Sequence, residues 1–262
     1  MVETGQRHSG KTNPASRDRE GNLVLRVVDL LRPNRNSTPV HFLHIRKTGG
    51  TAIAEALGPI AKRHGIVLHD HSTKLRDVPR EDRVFFFVRH PVTRFVSGFW
   101  SRLRRGLPRH HYEWNDREAE AFSHFQEANC LAEALSSPNQ EIALRARQAM
   151  GSISHVKSTY RDWFDGVAEL DRRSDSIALV GIQEQMVEDF EHLKDVLHLP
   201  RSLALPNEDV LAHRTPQEFD RRLSPLAEAN LLEWYSEDVR FYEHCVRLRG
   251  VMSLHRELAP GR

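Results

Sequence analysis

Lys47 stands in the run His41-Phe-Leu-His-Ile-Arg-Lys-Thr-Gly-Gly-Thr51, where a short apolar strand passes directly into a glycine-containing turn. A strand that ends in small residues and then enters a helix leaves backbone N–H groups unpaired at the helix N-terminus, aimed at an anion. Lys47 adds a full positive charge beside them. A second run, Val84-Phe-Phe-Phe-Val-Arg-His-Pro-Val-Thr-Arg-Phe-Val-Ser-Gly98, repeats the plan, with Arg89 as the cation at the strand-to-helix junction. Two anion sites imply a ligand with two separated anionic groups.

The elements that must carry these residues can be read from hydrophobic periodicity. The pattern predicts strand 40–45, helix 51–63, strand 66–69, strand 84–88 and helix 92–105, an alternation that favours a parallel sheet covered by helices. Residues 117–165 are mainly helical in pattern, including Glu118 to Ala128, Glu141 to Met150 and Val156 to Phe164. A further strand from Ser176 to Ile182 leads into a helix from Glu184 to Leu197. A proline-marked loop from Leu205 to Pro216 then precedes a C-terminal helix from Pro225 to about Leu248. Residues 1–38 read as a flexible polar N-terminal tail with a short helix from Leu23 to Leu31, and residues 39–262 as a single domain.

Composition limits the partners. The 262 residues carry a formal net charge of +2, so the chain as a whole is no electrostatic glove for nucleic acid, although sixteen histidines raise the charge on mild acidification. Any basic surface is local. An apolar share of 39% suffices for a packed core. No window nears the roughly twenty apolar residues a membrane helix needs, which predicts a soluble chain with no integral membrane association. Cys130 and Cys245 are too few for a disulfide framework and lack zinc-site spacing, which suits a reducing compartment, with the cytoplasm as the default.

Gly5-Gln-Arg-His-Ser-Gly-Lys-Thr12 matches the nucleotide-binding pattern G-x-x-x-x-G-K-[ST] letter for letter. That motif needs a strand before it and a helix after it. Four residues precede Gly5 and Asn13-Pro14 follows Thr12, so it reads as a chance match. The Lys47 loop has the opposite balance, an imperfect match in the correct context.

Arg46-Lys-Thr-Gly-Gly-Thr51 followed by Val88-Arg-His-Pro-Val-Thr-Arg-Phe-Val-Ser-Gly-Phe99 resembles the two donor-binding signatures of the carbohydrate-type sulfotransferases, especially soluble bacterial members akin to the uronosyl 2-O-sulfotransferases. Ala149-Met-Gly-Ser-Ile-Ser-His-Val156 and Trp234-Tyr-Ser-Glu-Asp-Val-Arg-Phe-Tyr242 extend the resemblance through most of residues 40–250. It implies a P-loop-like α/β fold with a helix-rich second half. It also implies 3′-phosphoadenosine 5′-phosphosulfate (PAPS) as sulfuryl donor, 3′,5′-adenosine bisphosphate (PAP) as product and no metal. By the same resemblance Lys47 and the backbone of Thr48, Gly49, Gly50, Thr51 and Ala52 hold the 5′-phosphosulfate, with the Thr48 and Thr51 hydroxyls as further donors. Arg89 and Ser97 hold the 3′-phosphate, a spacing that suits a strand end and the face of the next helix. Arg94 either assists or braces the turn. Arg46 stands where relatives usually carry proline, which removes some preorganisation of the loop.

Sulfuryl transfer is largely a matter of alignment and charge, and a base must accept the acceptor's proton. His69-Asp-His71 lies between the two loops, and alternation along a strand would put both imidazoles on one side and Asp70 on the other. Relatives carry a similar His-x-His, which implies His71 as catalytic base and a supporting or acceptor-binding role for His69. The plainer alternative is a pair of hydrogen-bonded histidines at a strand end. His155 lies in a family-like segment without an assigned role. Arg102, Arg104, Arg105, Arg109, His110 and His111 form the densest basic cluster, which reads equally as recognition of an acidic saccharide or as a solvated helix end. The resulting expectation is a PAPS-dependent sulfotransferase acting on a hydroxyl-bearing acceptor, a carbohydrate or glycoconjugate. Its rivals are an ATP-dependent small-molecule kinase and a non-catalytic protein that binds anionic ligands.

Overall fold

The computed structural model describes residues 38–207 and 219–257. The N-terminal tail with its short helix, the Gly5 to Thr12 pattern and most of the loop from Leu205 to Pro216 lie outside the described residues.

Four apolar runs form the strands β1 (Val40–Leu43), β2 (Ile66–Leu68), β3 (Arg83–Val88) and β4 (Ile177–Ile182). From Val84 to Val88 every residue of β3 is buried, so both faces of the sheet must be covered, as parallel strands with helical crossovers achieve. All neighbours pair parallel in the order β2, β1, β3, β4. The chain runs from β1 outward to β2 and returns to the other side of β1 as β3. Loops leaving the carboxyl ends of β1 and β3 therefore diverge, and the crevice between them is the place where open α/β sheets take ligands.

The helices among the described residues are α1 (Gly50–Leu57), α2 (Pro91–Leu103), α3 (Asp116–His124), α4 (Ala128–Ala134), α5 (Gln140–Ser152), α6 (Val167–Arg172), α7 (Met186–Val196), α8 (Pro225–Trp234) and α9 (Ser236–Glu257). α1 and α7 bury Ile53, Leu57, Phe190 and Leu193 with Phe42, Phe85 and Phe87 of the sheet. The opposite set, Leu43, Phe86 and Val88, packs with Tyr160, Phe164, Phe241 and Cys245. A third core joins α2 to α3, α4, α5 and α8 through Phe95, Phe99, Phe122, Leu131, Met150 and Leu231. Each large apolar side chain so buried contributes about 1.5–3 kcal/mol, so α2 is clamped along its length.

The architecture is the expected α/β class with a parallel sheet and a helix-rich second half. Several element assignments differ. The helix predicted over 51–63 ends at Leu57 and continues as turns. Val156 to Phe164 is no helix but a turn with one 3₁₀ segment at Tyr160–Asp162. Asp162 accepts a hydrogen bond from the Thr159 backbone N–H at 3.2 Å and Asp238 accepts one from that of Tyr160 at 3.0 Å, so side chains replace helical acceptors there. The single C-terminal helix is two, broken at Tyr235, whose hydroxyl donates to the Val156 carbonyl at 2.6 Å. Helices α4 and α6 were not apparent from periodicity; at 7 and 6 residues they are too short to display it.

Candidate active site

The segment between β1 and α1 makes a tight turn. Lys47 and Gly49 both adopt positive φ, +65° and +83°. A side chain at Gly49 would also place its Cβ 2.0 Å from Met186 Cε, and one at Gly50 would stand 2.2 Å from His44 Cδ2. Only glycine fits both positions. Thr48 is buried and its hydroxyl donates to the Ile45 carbonyl at 3.0 Å, while the Ala52 N–H donates to the Gly49 carbonyl at 3.0 Å. Those two residues close the turn from within. The amides of Gly50 and Thr51 open α1, where helical geometry offers no acceptor.

At the end of β3, the Tyr160 hydroxyl accepts from the Arg89 backbone N–H at 2.8 Å and donates to the Arg89 carbonyl at 2.5 Å. Arg89 Nε donates to Thr93 Oγ1 at 3.0 Å, and Thr93 donates onward to Glu184 at 2.7 Å. Pro91 opens α2 at its first position, where its missing N–H costs nothing. Ser97 and, one turn on, Ser101 then share a face of the helix.

These junctions wall a cleft of about 860 Å³. Of the residues expected from sequence, Lys47, Gly49, Gly50, Thr51, Arg89, Ser97 and His71 line it together. Thr48, Ala52 and His69 do not. His69 Nε2 lies 2.8 Å from His41 Nδ1, with the two rings stacked at 5.0 Å, and His41 Nε2 lies 3.1 Å from Asp82. The expectation that His69 and His71 share a side fails because β2 ends at Leu68, so strand alternation does not reach either ring. Asp70 accepts from both the N–H and the hydroxyl of Ser72, a local turn role. His71 Nδ1 donates to the His44 carbonyl at 2.8 Å. A carbonyl only accepts, so the neutral ring carries its proton on Nδ1 and its lone pair on Nε2.

The charge balance is one-sided. Among the described residues, Arg46, Lys47, Arg89, Arg102 and Arg221 line the cleft against a single carboxylate, Glu118, which Arg102 grips at 2.8 and 2.6 Å. Burial, with the charges of Arg104 and Arg89 behind it, pushes the Lys47 ammonium down to about 7. Burial also lowers Arg89, with Glu184 and Tyr160 opposing the shift. His71 is lowered by burial, and His155 well below its ordinary range by burial and then by the Lys47 charge. Removing anions from water beside so many crowded cations is therefore strongly compensated.

The other open readings resolve individually. Arg94 braces: it pairs with Asp238 at 2.8 Å, donates to the Ser158 carbonyl and lies 4.4 Å over the Tyr160 ring. The basic cluster is largely tied to carboxylates, Arg102 to Glu118, Arg105 and His111 to Glu113, and Arg109 to Glu55. Sequence reasoning did not single out His44 or Ser101 and left His155 without a role, yet all three line the cleft. Ser101 Oγ and His155 Nδ1 are buried there without a hydrogen-bond partner among the described residues. The four-residue spacing from Ser97 was the available signal for Ser101; nothing local marks His44.

The fold is thus a parallel α/β sheet with a cationic, glycine-turned cleft between the loops that leave β1 and β3. The chain matches the model of the Sulfotransferase family over residues 36–244 and belongs to that family. Its members transfer a sulfuryl group to an acceptor hydroxyl. No curated protein and no solved structure matches the chain. Among the described residues, no helix is long and apolar enough to cross a membrane, and no group of three or more His, Cys, Asp or Glu side chains is placed to hold a metal.

Proposed function

We propose that this protein uses PAPS to sulfate a hydroxyl of a carbohydrate or glycoconjugate, as a relative of the uronosyl 2-O-sulfotransferases, with His71 as the base. The supporting observation is the meeting in one cleft of Lys47, Arg89 and His71, whose Nδ1 is held by the His44 carbonyl. What supports the donor is a turn packed so closely that a Cβ on Gly49 or Gly50 would collide with Met186 or His44, together with the excess of cations lining the cleft. When bound, the donor supplies an activated sulfuryl group.

Lys47 and the amides of Gly50 and Thr51 hold its 5′ end, and Arg89 with Ser97 holds the 3′-phosphate. Thr48 and Ala52 contribute by closing the turn that presents those amides. Lys47 also stabilises negative charge on the leaving side. His71 Nε2 takes the acceptor's proton while Nδ1 stays anchored on the His44 carbonyl, so the ring keeps its orientation when it becomes charged.

Calorimetric titration tests the donor: PAP binds and ATP binds much more weakly, whereas a preference for ATP overturns the assignment. His71→Ala should lower turnover on an acceptor panel by about 10²–10⁴-fold while leaving PAP affinity nearly unchanged. Lys47→Ala should lose both. Wild-type rates in the His71 variant would reject the base.

A further inference from the structure

His44 follows β1 directly, and its ring lies at the meeting point of the two halves of the site. Its centroid is 4.0 Å from that of His71, with the planes inclined by 50°. Its Cδ2 lies where a Cβ on Gly50 would stand, 2.2 Å from that position. Behind it the ring stacks at 5.7 Å on Phe42, which stacks in turn at 5.0 Å on Phe85. Phe42 and Phe85 are fully buried sheet residues. A row of four rings thus runs from the sheet core to the cleft and ends on His71.

The ring of His44 makes no side-chain hydrogen bond among the described residues, although it is half-buried and lines the cleft. Burial, then the neighbouring His71, holds its pKa down to about 3, so it stays neutral wherever the enzyme would work. A neutral ring is poorly suited to hold phosphate by charge, and its contacts are steric. We propose that His44 is a positioning residue: wedged between Gly50 and His71, it transmits the rigidity of the sheet core to the base and keeps that base in register with the anion loop. The proposal rests on the reading of His71 as base. Misplacement of a catalytic group by about 1 Å costs on the order of a hundredfold in rate, so a rigid support behind the ring has a kinetic consequence.

The groups that face His71 are the His44 ring and carbonyl, Asp70 beside it, Arg46 and Lys47 of the anion loop, and His155 from the segment after α5. Trp163 Nε1 donates to the His71 carbonyl at 3.0 Å and ties down its backbone. Removing the His44 ring admits water to one side of His71 without changing any charge at neutral pH.

The test is nitrogen-resolved NMR of the histidine-labelled full chain in its ligand-free form, with turnover and PAP titration alongside. In the wild type His71 should show one tautomer, protonated on Nδ1, and titrate below an ordinary imidazole. His44→Ala, which keeps the backbone carbonyl that sets the tautomer, should move the titration upward and, at neutral pH, reduce turnover by about a hundredfold with PAP affinity within a few-fold. His44→Phe keeps a ring of similar shape without nitrogens and should preserve the His71 signals and most of the turnover. Gly50→Ala, whose new Cβ displaces the ring, should reproduce the His44→Ala spectrum even if that variant folds poorly. An unchanged His71 spectrum in His44→Ala or Gly50→Ala overturns the proposal. Equal damage from Phe and Ala would assign the ring nitrogens a direct ligand contact and overturn it as well. Failure of the base assignment appears separately, as undiminished turnover in His71→Ala.

Discussion

Lys47 is a half-buried ammonium among other cations, and its titration near 7 has a measurable consequence. Below pH 7 it is already charged in the free protein, so this group adds no pH dependence to anion binding. Above pH 7 the free side chain loses its proton, and an anion must restore it on binding. PAP affinity should therefore fall as pH rises past about 7, with proton uptake that grows from pH 7 to 8.5. Calorimetry in buffers of different ionisation enthalpy measures that uptake directly. Lys47→Met should abolish it, and an uptake that survives the substitution would assign the proton to another group. Lys47 was legible in the sequence because its neighbours are local: strand, turn and helix are contiguous. Its depressed pKa was not, since its burial, and then the charges of Arg104 and Arg89, arise only through the fold.

The junction of β3 and α2 depends on an element the sequence pattern misread. Tyr160 belongs to the 3₁₀ turn that replaced an expected helix, and its hydroxyl holds both backbone groups of Arg89. Burial raises that hydroxyl's pKa far above its ordinary range, so it remains a protonated donor throughout the working range. Tyr160→Phe removes two hydrogen bonds and leaves the Arg89 N–H without its acceptor, a loss of about 1–3 kcal/mol in urea denaturation. The same variant should weaken PAP binding more than ATP binding, because only PAP carries the 3′-phosphate assigned to Arg89. Equal weakening of both would place the 3′-phosphate elsewhere. A tyrosine far along the chain thus fixes the backbone of a residue whose place at a strand end was read from periodicity and whose role was read from the resemblance.

At the largest scale, Asp238 joins α9 to α2 and to the 3₁₀ turn that carries Tyr160. Its Oδ2 receives Arg94 of α2 at 2.8 Å and its Oδ1 receives the Tyr160 N–H at 3.0 Å, all three groups being buried. Burial pushes the Asp238 carboxyl upward, against the opposing pull of the Arg94 guanidinium. Arg94→Met should destabilise the protein by about 3–5 kcal/mol at neutral pH, because it strands a buried carboxylate. The sign with pH follows from the raised folded-state pKa: on acidification the folded protein takes up the proton first, so the deficit should shrink as pH falls through that pKa. Arg94→Met with Asp238→Leu should recover part of the loss, since no charge is then left unpaired. Urea denaturation across pH checks both, and a deficit that is the same at every pH would mean that Asp238 does not titrate there.

By itself, the amino-acid order determined the local parts: apolar runs long enough for strands, glycines where a turn allows no Cβ, and the cations Lys47 and Arg89 at strand ends. These depend on near neighbours and on periods that sequence displays. Tertiary structure decided which of the remaining candidates face the cleft. It turned His69 onto His41 and used the Thr48 hydroxyl and the Ala52 amide inside the turn. It also brought His44, Ser101 and His155 to the wall of the cleft. The physical reason is that a side chain's direction follows local periodicity only while a regular element lasts. Past Leu68, and past β1 at His44, long-range packing sets that direction.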